Sequence, residues 1–81
     1  MISRDDGDLK VAFGETVRKF RTAMGLSQEK LAERANIHRT YIGDVERGLR
    51  NIALVNMCRI ACALEVPLSS LISEMEKREN S

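Results

Sequence analysis

The sequence contains no tryptophan, and its other aromatics, two Phe and one Tyr, amount to 4% of 81 residues. A core without large rings has to be filled by Leu, Ile, Val, Ala and Met, which suits packed helices, and the fold class expected is all-α. Histidine occurs once, as His38, and cysteine twice. A structural metal takes about four ligands, so neither a metal nor any other cofactor is expected. A glycine-rich phosphate loop and a nucleophile paired with a base are both missing, which excludes the common routes to catalysis. No apolar run approaches the roughly 20 residues of a membrane span, and no basic-then-apolar leader opens the chain. A cytoplasmic protein with no membrane partner is expected. Cys58 and Cys62 stand four apart on one predicted helix and are read as reduced, small hydrophobes packed side by side.

An excess of one charge is missing as well, since the net charge is +1. Its distribution is uneven. Between Arg18 and Arg50 there are eight basic residues and four acidic ones, a local balance of +4, while the flanks carry −3. Basic charge gathered on one segment is what a phosphate-contacting surface needs, although solvated helix faces give the same count. Eighty-one residues hold one domain of marginal stability, which makes dimerisation a natural recourse.

Residues 26–48, LSQEKLAERANIHRTYIGDVERG, organise the rest. Ser27 is a good N-cap for a helix from Gln28 to Ala35, with Leu31, Ala32 and Ala35 turned inward. Asn36 tolerates the left-handed conformation of a helix C-terminus, and Ile37 plugs the angle to a second helix, Arg39 to Arg47. That helix has only Ile42 and Val45 to bury, so Arg39, Thr40, Gly43, Asp44 and Arg47 stay outside. A helix anchored on one side and polar on the other can enter a DNA major groove. The predicted motif is a helix-turn-helix.

Four further elements frame it. Residues 1–8 are expected to be frayed, with Asp8 as N-cap, ahead of a domain over residues 9–78. Phe13, Val17, Phe20 and Met24 mark one stripe of a first helix, Leu9 to Met24, stopped by Gly25 as Gly48 stops the recognition helix. Lys10, Arg18 and Lys19 lie off the stripe, as solvated charges or as phosphate contacts. A fourth helix, Leu54 to Leu64, carries Leu54, Met57, Ile60, Ala61 and Leu64 inward but has Ala53 where a cap belongs, so that Asn51 caps it or its end frays. Pro67 opens a last helix, to about Lys77, whose stripe is Leu68, Leu71, Ile72 and Met75. This stripe exceeds what a terminal helix needs for its own core. Leu68, Ile72 and Met75 are therefore read as an isologous dimer contact, the alternative being that they cover the first helix.

LSQEKLA, HRTYI, VERG and the Arg50–Asn51 pair resemble the Cro and lambda-repressor type (XRE family) of helix-turn-helix regulators, and HRTYIGDVERGLRN is similar to the controller proteins of bacterial restriction-modification systems. The likeness covers about Phe13 to Leu71. It implies a five-helix lambda-repressor-like domain that binds a pseudo-palindromic double-stranded DNA operator as a homodimer and both activates and represses its own gene and that of the endonuclease. RNA polymerase is a further implied partner. The same fold serves phage-type repressors, and antitoxins whose main partner is a protein. The resemblance also pairs Arg21 with Glu46 across the first helix and the recognition helix, and makes Gln28 a phosphate contact.

Roles on the recognition helix follow from its chemistry. Arg39 can bond guanine bidentately, Thr40 can meet a thymine methyl or a phosphate, and Asp44 can accept from cytosine N4, unless it only neutralises Arg47. Arg47, Arg50 and Asn51, just past the helix, are placed to grip phosphates. His38 and Tyr41 are expected at the backbone too, with Tyr41 as a core residue the alternative. Gly43 leaves a gap where many relatives carry a side chain.

Overall fold

A computed structural model describes residues 5–79. These form five helices with no strand among them: α1 Asp6–Ala23, α2 Gln28–Ala35, α3 Arg39–Glu46, α4 Leu54–Ala63 and α5 Leu68–Glu79. The all-α, five-helix architecture is the expected one. No single helix among the described residues is long and apolar enough to cross a membrane, and α4 and α5 are bent by 104° at the break between them.

The helix α1 starts earlier than its apolar stripe. Asp5 caps it, its carboxylate accepting from the Gly7 amide at 2.7 Å, and Asp6 and Asp8 fall in the first turn, where the helix dipole favours negative charge. Asp8 is thus not the cap, and of the segment expected to fray, residues 1–4 lie outside the described residues. The stripe itself is buried at Phe13 and Val17, half-buried at Phe20 and lost at Met24, which is exposed as the C-cap. Burial shifts instead toward Ala12, Gly14 and Thr16, whose hydroxyl donates to the Ala12 carbonyl at 2.8 Å and so leaves no unpaired buried group.

Gly14 shows why. A Cβ there would overlap the Val45 carbonyl oxygen and stand 2.9 Å from that of Glu46. The last turn of α3 lies directly on the backbone of α1, an approach only glycine permits. The core is assembled around this crossing from Leu31, Ala32, Ala35, Ile42, Val45, Ile60, Ala61, Leu64 and Leu71. Full burial of one Leu or Ile contributes about 1.5–3 kcal/mol. Between α1 and α5, Lys19 donates to Glu74 at 3.0 Å, which holds the Glu74 carboxyl below its usual range. Lys19 therefore ties two helices together, where solvation or phosphate contact was expected.

Four helix ends close on left-handed residues: Gly25 (φ 72) after α1, Gly48 (φ 75) after α3, Asn36 (φ 56) after α2 and Glu65 (φ 59) after α4. The first two are the expected stops, and Glu65 falls where the sequence predicts a break. Ala53 precedes α4 with no side-chain cap, and Asn51 supplies none. The first turn of α4 accordingly stands clear of the body: Leu54 and Val55 are 63% and 61% exposed, and burial begins at Ile60, one and a half turns further on. Leu54 is not the core residue its spacing predicts. Cys58 and Cys62 are free and lie exposed on α4.

Candidate nucleic-acid interface

The motif folds as its caps dictate. The Ser27 hydroxyl accepts from the Lys30 amide at 3.0 Å, and Asn36 adopts φ 56, ψ 47 to end α2. From there the Ile37 amide returns to the Ala32 carbonyl at 3.0 Å, which fixes the turn into α3. Ile42 and Val45, 0% and 2% exposed, pin α3 to the body. Its other side presents Arg39, Thr40 and Arg47 to solvent. The helix ends one residue before the expected boundary, with Arg47 as C-cap and His38, exposed, as an N-cap that makes no side-chain bond.

Behind that surface lies a buried hub at Glu46. Arg21 donates to its two carboxylate oxygens at 2.6 and 2.9 Å, a bidentate fork, and a third guanidinium bond reaches the Leu26 carbonyl at 2.8 Å. The side chains are 12% and 4% exposed. The Glu46 hydrogen bond raises the Arg21 pKa above its already high value, outweighing the effect of burial. The expected pair is present, and it extends further than the sequence suggests, since the Gln28 amide nitrogen also donates to Glu46, at 3.0 Å. Arg21, Glu46 and Gln28 thus join α1, α3 and the start of α2. The Gln28 amide is thereby fixed, its carbonyl oxygen turned toward Gly43.

Gln28, Arg39, Thr40, Gly43 and Arg47 line one cleft of about 200 Å³ on the outer face of α3. Asp44 stands beside it, half-buried; it accepts a hydrogen bond from Arg47 at 2.6 Å and pairs electrostatically with Arg50 at 3.4 Å. In the free protein it neutralises two arginines, the second of its expected roles. Arg50 also covers the Tyr41 ring, 4.7 Å from its centroid, a cation–π contact. Tyr41 is half-buried against the core, so its ring serves packing and orients Arg50 together. Asn51 is exposed next to it. The structure therefore brings Arg39, Thr40, Asp44, Gln28 and Arg47 to one surface, with His38 at one end of α3 and Arg50 and Asn51 at the other.

Leu68, Ile72 and Met75 are half-buried against the core. Ile72 and Met75 line an open groove of about 260 Å³ with Leu9, Phe13, Ile52 and Met57. The most exposed large apolar side chains are Leu54 and Val55 on α4 and Leu49, 65% exposed, in the preceding loop.

Comparison with known proteins gives this arrangement its family. The model of the helix-turn-helix family matches residues 17–71. Control protein C.MunI of Mycoplasma sp is 41% identical over 71 residues, 86% of this chain and 96% of that protein. The crystal structure of the restriction-modification controller protein C.AhdI from Aeromonas hydrophila superposes with a TM-score of 0.76 at 48% identity, over 76% of this chain and 94% of that one. The chain belongs to the helix-turn-helix controller proteins. This controller protein also resembles C.Esp1396I, solved as a tetramer in complex with its natural 35 base-pair operator, with a TM-score of 0.83 and 30% identity over 90% of this chain and 96% of that one. The family read from LSQEKLA, HRTYI and VERG is the one found.

Proposed function

We propose that this controller protein is a sequence-specific transcriptional regulator that binds a pseudo-palindromic operator as a homodimer and controls its own gene and that of an accompanying endonuclease. The observation that carries the reading is the two-sided α3: Ile42 and Val45 buried beneath, and Arg39, Thr40 and Arg47 outward above a cleft they share with Gln28. A rigidly seated helix with a polar outer face fits the major groove, while the cationic groups at its ends meet phosphates on either side. Arg39 and Thr40 read bases. Gln28, His38, Arg47, Arg50 and Asn51 grip the backbone. Asp44 holds Arg47 and Arg50 extended until phosphates replace it, or accepts from a cytosine amino group. The reading assigns no catalysis to the chain, places it in the cytoplasm with its operator, and brings in RNA polymerase as a partner when it activates.

The dimer is supported by a surface with both halves of a contact. Leu54 and Val55 are exposed on α4, and an open groove is lined by Ile52, Met57, Ile72 and Met75. A two-fold axis lets each copy insert Leu54 and Val55 into the other's groove, the isologous arrangement. Arg50 and Asn51 rim the same groove, so the contact continues the DNA-binding surface.

Reading and gripping separate in one experiment. A bidentate arginine on guanine discriminates by about 1–3 kcal/mol, whereas a phosphate contact contributes equally on every sequence and shows as salt dependence. Arg39→Ala should relax preference at one base pair per half-site. Arg50→Ala should weaken binding to all duplexes alike and lower the slope of log K against log salt by about 1 per phosphate lost, twice that in a dimer. Both variants are titrated with duplexes changed singly at each G·C pair over a salt series. Uniform loss for Arg39→Ala would make it a backbone contact and move readout to Thr40 or Asp44.

A further inference from the structure

Gly43 sits in the middle of α3, between Arg39 and Thr40 on one side and Arg47 on the other; expected outside, it is instead buried at the floor of the outer cleft, beneath the ends of Arg47 and Gln28. A glycine inside a helix destabilises it relative to alanine, because its backbone loses more freedom on folding. A fold retains such a residue where φ is positive or where a neighbour leaves no space for a methyl group. Neither condition holds here. The glycines with positive φ are Gly25 and Gly48. A Cβ at Gly43 would have as nearest atoms Arg47 Nη1 and Gln28 Oε1, both at 3.6 Å, ordinary contact with the ends of two flexible side chains. At Gly14, by contrast, a Cβ would run into the backbone of α3. Nothing within the protein requires glycine at position 43.

The cleft above it gives the reason. Arg47 Nη2 is held by Asp44 at 2.6 Å, so its other terminal nitrogen is the one turned toward Gly43. Gln28 is fixed by its bond to Glu46 at 3.0 Å. Arg39 and Thr40 complete walls rich in donors around a floor of bare helix backbone. We propose that Gly43 is a specificity-determining residue, kept without a side chain so that the edge of one operator base pair enters this cleft and lies against α3. The Arg39 guanidinium and the Thr40 hydroxyl suit the acceptor edge of a guanine, O6 and N7. A phosphate is the poorer occupant, because the backbone passes the ends of a recognition helix while its outward middle meets the bases. The inference rests on the DNA-binding reading above and adds to it the residue that sets how closely the helix approaches.

The test uses Gly43→Ala in the full chain, with a duplex that the wild-type protein has enriched from a randomised pool and a second, unrelated duplex. The variant should melt roughly 2–6 °C higher, as alanine for glycine at a compatible helical site does. It should bind the enriched duplex at least tenfold more weakly, bind the unrelated duplex at low salt as the wild type does, and enrich sequences that differ at one base pair per half-site. Unchanged affinity for the enriched duplex overturns the inference, as does equal loss on both duplexes, which would indicate a phosphate. A lower melting temperature overturns it too, since glycine would then serve the fold. A wild-type protein that enriches no sequence removes the DNA-binding reading itself, and the inference with it.

Discussion

Arg21→Ala should destabilise the protein by roughly 3–5 kcal/mol, the cost of leaving one charge of a buried pair without its partner. Glu46 would keep only the Gln28 amide, its carboxylate 4% exposed, and the Leu26 carbonyl would lose the guanidinium that closes the turn between α1 and α2. A domain of this size has a total stability on the order of 4–12 kcal/mol, so the loss is a large fraction of the whole. In thermal unfolding it corresponds to a fall of roughly 15–30 °C. The pair itself adds little net stability, because desolvation offsets most of its attraction, so replacing both partners by leucine should restore much of what Arg21→Ala removes. Its value lies in position: Glu46 is at the end of α3, and fixing it fixes how the recognition helix and Gln28 are presented together. Operator preference of the folded fraction should be unchanged. An unaltered melting temperature with a changed choice of duplex would put Arg21 in the interface instead.

Leu54→Lys combined with Val55→Lys should give a folded monomer with operator affinity at least about 100-fold lower. Both side chains are more than 60% exposed, so charging them leaves the core of the protomer intact. Dimer formation, however, would have to bury two ammonium groups per protomer in an apolar contact, at a cost of several kcal/mol. A monomer also loses the high effective concentration with which one bound half presents the other to its half-site. Sedimentation and circular dichroism of the variant check both parts. A dimeric mass with unchanged helicity would place the contact elsewhere, and Leu68, Ile72 and Met75 would then need testing alone.

The sequence exposes local chemistry well and partner geometry poorly. Ser27, Asn36, Gly25 and Gly48 announce helix ends through capping and left-handed backbone, rules that act within a few residues, and the bounds of α2 come out as read. Met24 and Leu54 fail for one shared reason: periodicity identifies the face of a helix that is apolar, not whether another element lies opposite it. At Met24 the chain is already turning away, and at Leu54 the uncapped first turn of α4 extends past its neighbours. The α1–α3 crossing at Gly14 is a contact between residues some 30 positions apart. Its only mark in the sequence is a glycine inside an amphipathic helix. The Arg21–Glu46 pair is legible through family resemblance alone, because no spacing rule joins residues 25 apart, and Gln28 as its third member is not legible at all.

The candidate readout surface follows from α3 having too few apolar residues to be buried all round. That is a compositional fact, and it assigns Arg39, Thr40 and Arg47 outward from the amino-acid sequence alone, together with Gly43 and Asp44, which the structure leaves buried and half-buried. What composition does not indicate is how they are held: Asp44 between Arg47 and Arg50, Arg50 over Tyr41, and Gln28 locked to Glu46. These contacts mean that a substitution at Tyr41 or Asp44 acts through Arg50 and Arg47 as well as directly.

Selection from a pool of fully randomised duplexes by the wild-type protein, at moderate salt, tests the central claim most directly. The predicted outcome is enrichment of two inverted half-sites whose centres stand about one helical turn apart, roughly 10 to 10.5 base pairs, each with a G·C pair at its core. Retention of every duplex alike, or enrichment of single sites without two-fold symmetry, would contradict a dimeric protein that reads DNA through α3.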